Sequence, residues 1–344
     1  MNSRERMLAA YNFQTPDKAA VEYYYSSVGY YEHGEKINDL YAAYPGDLEP
    51  YNRHPIPVLG PELFDQDGRY YEVKKDEWGT TWEYRIFGIQ GKEKIYPLDD
   101  WAKLDTYQFP VQPNWVTDPR AFDAMAAQVR QHQKTHFYRY GWFSFFERMI
   151  ALRPFEDVLC DLATDDPDLI RMMDLLTDYY EKQIQALIRL GVDCIRFADD
   201  FGTQTNLIFS PEIFRTHFKP RYERLMKPIR DAGIKIMFHS CGMVEPLFPE
   251  FADLGVSAIW PQIPVYDMQH LADTLRDMRI ALAIHTDRAH TVTRGTPEDI
   301  RALVKREFEI FRPDKGGSWF YLEVDNGMPF ENVQALVEAV YSYR

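Results

Sequence analysis

Residues 234–241 read IKIMFHSC, an apolar run of strand length that ends in an imidazole and a thiol. Side chains alternate faces along a strand, so His239 and Cys241, two positions apart, lie on the same side of the pleat. The run follows a helical pattern, SPEIFRTHFKPRYERLMKPIRDAG (210–233), that opens on Ser-Pro-Glu and stops at Gly233. The same order recurs along the chain. Helical stretches at 118–133, 166–191, 296–311 and 329–344 alternate with short runs rich in β-branched and aromatic residues: THFYRYGW (135–142), VDCIRFAD (192–199), VSAIWPQI (256–263), IALAIHTD (280–287) and SWFYLEVD (318–325). KAAVEYYY (18–25) supplies an earlier strand. Strands alternating with helices predict βα units around a parallel sheet.

What ends each strand separates the two parallel architectures. Asp199 and Asp200, His239 and Cys241, Gln262, His285 and Asp287, and Glu323 and Asp325 all stand at carboxyl ends of different apolar runs. A (β/α)8 barrel gathers residues from many strand ends at one mouth, whereas a doubly wound sheet concentrates them at one switch point. No Gly-x-Gly-x-x-Gly follows the first strand. The sequence therefore predicts a TIM barrel forming one domain over 1–344. Residues 1–110 carry an N-terminal helix, the first strand and an elaboration, and 111–344 carry the main βα units. Within the elaboration, RYYEVKKDEWGTTWEYRIFG (69–88) and GKEKIYPLDDW (91–101) alternate apolar and polar residues, which predicts a small antiparallel ribbon.

At 344 residues with 45% hydrophobic content, the chain has ample material for a barrel core. A net charge of −14, with no basic cluster, argues against a nucleic-acid partner. No apolar run approaches the ~20 residues that span a bilayer. The start, MNSRERMLAAYNF, lacks a signal-peptide h-region and reads as an amphipathic helix with Ser3 as its cap. Three cysteines are not a disulfide framework, so a reducing, cytoplasmic setting is expected. Cys160 and Cys194 sit in apolar patterns and are read as core thiols. The oligomeric state is open, a homodimer included.

His239 and Cys241 are the sharpest chemical feature, because imidazole and thiolate are the commonest zinc ligands and Gly242 permits a close turn after them. A third ligand must come from the rim: Glu323 is the first choice, with Asp325 and His285 as the others. Of Asp199 and Asp200, adjacent and thus on opposite faces, one is expected to face the mouth and bind substrate or give a proton, the other to bond backbone or an arginine such as Arg196. His285 and Asp287 form a candidate acid–base pair. Asp200 and Asp287 are the candidate proton donors. Gln204, Gln262, Tyr24 and Trp142, with Asp199, are candidate substrate contacts. Glu147 and Arg148 are read as bracing the rim.

In combination, DDFGTQ (199–204), SPEIFRTHFKPRYERLMKPI (210–229), HSCG (239–242) and PFENV (329–333) resemble the uroporphyrinogen decarboxylase superfamily. DEWGTTW (76–82) and IYPLDDW (95–101) look like its decarboxylase-like members, so the likeness runs along the whole chain. The resemblance implies one of two chemistries. Metal-free decarboxylases of the superfamily read porphyrinogen carboxylates with an early Arg-rich segment. The corresponding AVEYYYSSVGYYEHG (20–34) has no arginine. The zinc-dependent, corrinoid-linked methyltransferases share His-x-Cys-Gly, which carries over to His239 and Cys241. Their thiol-methylating members take a third Cys ligand before a Pro-x-Glu-Asn motif. Here Pro329-Phe330-Glu331-Asn332 is present without that Cys, and Glu323 or Asp325 takes the approximate place. The favoured expectation is zinc held by His239, Cys241 and Glu323, O-demethylation of a small methoxylated donor, and a cobalamin-type corrinoid on a partner protein as acceptor. A metal-free decarboxylase of a porphyrinogen or smaller carboxylate and a non-catalytic binding barrel are the alternatives.

Overall fold

A computed structural model describes all 344 residues. Ten strands form, in chain order β1 (Val21–Tyr23), β2 (Glu72–Lys75), β3 (Thr81–Tyr84), β4 (Lys92–Ile95), β5 (Arg139–Phe143), β6 (Cys194–Ala198), β7 (Lys235–Ser240), β8 (Ala258–Pro261), β9 (Ala281–His285) and β10 (Ser318–Leu322). Seven make one curled parallel sheet in the order β1-β10-β9-β8-β7-β6-β5. These are the seven strands expected from the sequence, and β2-β3-β4 form the expected antiparallel ribbon.

The barrel class stands, but the parallel sheet has seven strands rather than eight. β1 and β5 are edges that do not pair. Residues 49–60, which line the gap in part, contain Pro50, Pro55 and Pro57 and form no strand. Proline has no N–H to give a ladder, which explains the missing pairing. Arg139 of β5 closes the seam instead by a buried ion pair with Glu22 of β1, whose carboxylate also accepts from Trp319 Nε1 at 3.0 Å. Removing one partner of such a pair costs about 3–5 kcal/mol, because the other charge stays buried.

Strand alternation divides the apolar interior into two layers. Ile195, Phe197, Ile236, Phe238, Ile259, Leu282 and Phe320 face the helices within a cluster of 67 buried residues. Cys194, Met237, Ala258, Trp260, Ala281, Ala283, Trp319 and Tyr321 face inward in a second cluster of 13, plugged by Met7, Ala10 and Tyr11 of the first helix. That helix is capped by Asn2 rather than Ser3, in a capping box with Glu5. Trp78, Leu98 and Leu104 tie the N-terminal elaboration into the larger cluster. Cys194 is buried as expected, but Cys160 is exposed: on its helix (Phe155–Thr164) Val158, Asp161 and Leu162 take the buried face. No helix is long and apolar enough to cross a membrane.

Candidate metal centre and active-site cavity

The inward-facing positions become polar toward the carboxyl ends of the strands, where they open into a cavity of about 880 Å³. Eleven of the twelve candidate residues line it: Tyr24, Trp142, Asp199, Asp200, His239, Cys241, Gln262, His285, Asp287, Glu323 and Asp325. The N-terminal part supplies a cover, with Ser26 and Ser27 after β1 and Gly88, Ile89 and Gln90 from the ribbon.

The loops after β6 and β7 are pressed together backbone to backbone. Gly242 has φ +76°, and a Cβ there would lie 2.2 Å from the Gly202 backbone. Met243 N donates to Thr203 O at 2.8 Å, and Cys241 N donates to Asp200 Oδ1 at 2.7 Å. This clamp brings Asp200 to the His-x-Cys pair. His239 Nε2 stands 3.5 Å from Cys241 Sγ and 3.5 Å from Asp200 Oδ1, and the ligand atoms of the three residues all lie within 4.8 Å of one another. Ligand atoms on a tetrahedral zinc, with bonds of about 2.0–2.3 Å, are about 3.3–3.8 Å apart, so the two His239 distances match such an ion.

His239 also has the tautomer a metal needs. Its Nδ1 lies 2.8 Å from Trp260 O, an acceptor, so the proton sits on Nδ1 and Nε2 presents its lone pair to Cys241 and Asp200. Burial lowers its pKa and keeps it neutral. Burial, reinforced by Asp200, pushes the Cys241 thiol far up. A bound cation reverses that effect on the thiol.

Glu323 does not belong to this group. Its Oε1 is 3.2 Å from Arg288 Nη1, which also reaches Asp325 Oδ2 at 3.0 Å. Asp200, rather than Glu323, therefore stands beside His239 and Cys241 as the candidate third ligand, and the alternates Asp325 and His285 are likewise occupied elsewhere. An arginine at the end of β9 holds the two acids, whereas no lysine or arginine lies within ion-pair range of Asp200, which faces only the neutral His239 ring. Desolvation pushes the Glu323 carboxyl up to about 7 against the opposing Arg288.

The expected split between Asp199 and Asp200 is resolved. Asp199 is fully buried and accepts from Phe145 N and Glu147 N, each at 2.8 Å, and from Tyr222 OH. It fixes the β5 loop, so the substrate contact expected of it is corrected. Arg196 meets neither aspartate; its Nε donates to Gly141 O at 3.1 Å. Asp287 is corrected as a proton donor for a similar reason. It caps the π-helical turn Arg288–Val292, accepting from the amides of Ala289, His290 and Thr291 at 3.1–3.2 Å and from Thr291 Oγ1 at 3.0 Å. Gln204 Nε2 donates to Gln262 Oε1 at 3.3 Å, and that oxygen also accepts from Gly242 N at 3.1 Å. The two glutamines brace the loops, and Gln204 is not on the cavity wall.

His285 is held in the opposite tautomer from His239. Trp260 Nε1, which can only donate, lies 2.8 Å from His285 Nδ1, so the proton of the neutral ring sits on Nε2. Burial and Arg288 press its pKa well below the ordinary value. His285 is thus a neutral hydrogen-bond donor rather than a proton-transfer group. Its Nε2 and Glu323 Oε2 are buried, lack hydrogen-bond partners and lie 3.6 Å apart.

Three residues gain importance over the sequence reading. Trp260 sets both histidine tautomers. Arg288 neutralises the acids of β10. Glu147, expected to brace, is a cavity-wall carboxyl that burial and the nearby Asp200 raise to about 8, so it holds its proton at neutral pH. The helix-start pattern around Glu147 was visible in sequence, but its neighbour Asp200 is distant in the chain.

A curled parallel sheet with polar residues from several strand ends around one cavity defines an α/β-barrel of enzyme type. The uroporphyrinogen decarboxylase (URO-D) family profile matches residues 141–343, more than half of the chain, and the chain belongs to that family. Among solved structures, a methyltransferase from Methanosarcina mazei is similar over 100% of this chain and 99% of its own, with TM-score 0.65 and 17% identity, and shares the fold. A dihydropteroate synthase from Xanthomonas albilineans aligns with 58% of this chain and 65% of its own, at TM-score 0.36 and 10% identity. A search of curated protein sequences gives no match.

Proposed function

We propose that this URO-D family member is a zinc-dependent methyltransferase that moves a methyl group from a small methoxylated donor to a corrinoid carried by a partner protein. The observation that carries the reading is the cluster of Asp200, His239 and Cys241, with the bare Nε2 lone pair of His239 turned toward the other two ligand atoms. Zinc held there supplies Lewis-acid polarisation of the donor oxygen. In the overall exchange the ether O–CH3 bond breaks, the methyl passes to the reduced corrinoid, and the oxygen leaves protonated. Of the carboxyls on this wall Glu147 is raised furthest, to about 8, so it takes the donor role first expected of Asp200 or Asp287. His285 Nε2–H faces Glu323 and orients that carboxyl, and the half-exposed Trp142 and Tyr24 offer flat apolar faces. The ribbon loop at Gly88–Gln90 covers the mouth and limits water.

The test is methylation of free cob(I)alamin, followed by its absorbance, with methoxylated aromatic and aliphatic compounds as donors. Turnover that zinc restores after chelation supports the reading. Release of carbon dioxide from a carboxylate substrate by chelated protein, without methyl transfer, replaces it with the metal-free decarboxylase.

A further inference from the structure

A second, smaller chamber of about 230 Å³ lies at the seam between β1 and β5 and shares Tyr24 and Tyr25 with the main cavity wall. Its charged lining is unbalanced. Arg139 and Arg196 both line it, but Glu22 is paired with Arg139. No carboxylate lies within 4.0 Å of Arg196, whose recorded contacts are the Gly141 carbonyl and the Trp142 ring, 4.6 Å from the guanidinium carbon. The remaining acid on the wall, Glu49, is exposed and forms no ion pair. Burial and the neighbouring Arg139 both work against the charge on Arg196, lowering its pKa.

A guanidinium kept out of water without a counter-ion is costly. The ligand chemistry that relieves it is an anion with two acceptor oxygens in a plane, which matches the guanidinium fork. We infer that the seam chamber is a carboxylate subsite, in which Arg196, stacked on Trp142, binds the carboxyl group of a substrate whose reacting end lies in the main cavity. The shared walls at Tyr24 and Tyr25 give the path between the two spaces. Trp142, with Arg196 near its ring on one side and the His239 ring 5.7 Å away, connects the subsite to the metal cluster. The inference concerns binding, and it stands whichever reaction the cluster performs.

Isothermal titration calorimetry of the full chain with matched acids and amides tests it: 4-methoxybenzoate against 4-methoxybenzamide, and methoxyacetate against methoxyacetamide. The expected result is a preference for the acid of at least about tenfold in one pair, lost in Arg196→Gln and partly kept in Arg196→Lys. Far-UV circular dichroism checks that the variants are folded. Equal affinity for acid and amide in the unsubstituted protein, a preference that survives in Arg196→Gln, or no acid binding below about 10 mM overturns the subsite.

Discussion

The ends of β6 and β7 and the ends of β9 and β10 carry similar residues: on each side of the mouth a histidine stands near carboxylates. On the β6–β7 side the histidine presents a lone pair to a thiol and a carboxylate with no cation beside them. On the β9–β10 side the histidine presents a proton, the acids are held by Arg288, and Asp287 is consumed as a helix cap. One residue between them, Trp260, makes the difference, accepting from His239 through its carbonyl and donating to His285 through its indole. Residue type and spacing thus specify what a strand end can do, and the partner of the second ring nitrogen specifies what it does do.

The comparison breaks most easily at the proposed metal ligands. His239→Ala is expected to weaken zinc binding by more than about 100-fold, beyond the usual loss from an outer-shell change, whereas His285→Ala changes it a few-fold at most. Competition with a chromophoric chelator measures both. Equal losses would erase the distinction between the two sides.

Proton inventory gives a second contrast. Glu147, raised from 4.5 to about 8, is protonated below that value, so turnover that needs its proton is lost as pH rises through about 8. Glu147→Gln should reduce turnover by about 10²–10⁴-fold at neutral pH and remove the alkaline limb, with zinc content unchanged. The same upward shift makes the folded protein bind this proton more tightly than the unfolded chain. Its contribution to stability is therefore present below pH 4.5 and declines progressively between 4.5 and 8. Glu307, buried against Thr286 and also raised to about 8, behaves likewise. Glu307→Gln should flatten the fall in Tm between about pH 5 and 8.

The clamp and the pivot give smaller effects. Gly242→Ala places a Cβ against the Gly202 backbone in a left-handed conformation, and should cost about 1–3 kcal/mol in urea unfolding. Trp260→Phe keeps the carbonyl that orients His239 but removes the indole donor to His285. The nitrogen shifts of His285 should then show mixed tautomers and those of His239 should not move, as ¹⁵N spectra would show. Movement of both would place the control elsewhere than Trp260.

Much of this was legible in the sequence because period and strand-end chemistry are local. All seven parallel strands, the ribbon and eleven residues of the cavity wall follow from pattern alone. The seventh-to-eighth strand count was not legible, since prolines at 50, 55 and 57 forbid a ladder that the barrel pattern presumes. The third member of the metal cluster also escaped. Alternation said that one of Asp199 and Asp200 faces the mouth, but the choice rests on Tyr222 and two amides of the β5 loop, which are distant in the chain. Glu323 looked equally suitable because Arg288, 35 positions earlier, is invisible as its partner until the barrel curls. Cys160 shows the converse, an apolar neighbourhood whose helical phase turns the thiol outward.

The account rests on Asp200, rather than Glu323, completing a metal site with His239 and Cys241. Zinc content per chain, measured by plasma mass spectrometry on protein purified with zinc in the medium, tests this directly for the unsubstituted protein, Asp200→Ala and Glu323→Ala. The account predicts one zinc per chain in the unsubstituted protein and in Glu323→Ala, and loss of zinc in Asp200→Ala. Unsubstituted protein without zinc, or zinc lost from Glu323→Ala and kept in Asp200→Ala, would contradict it.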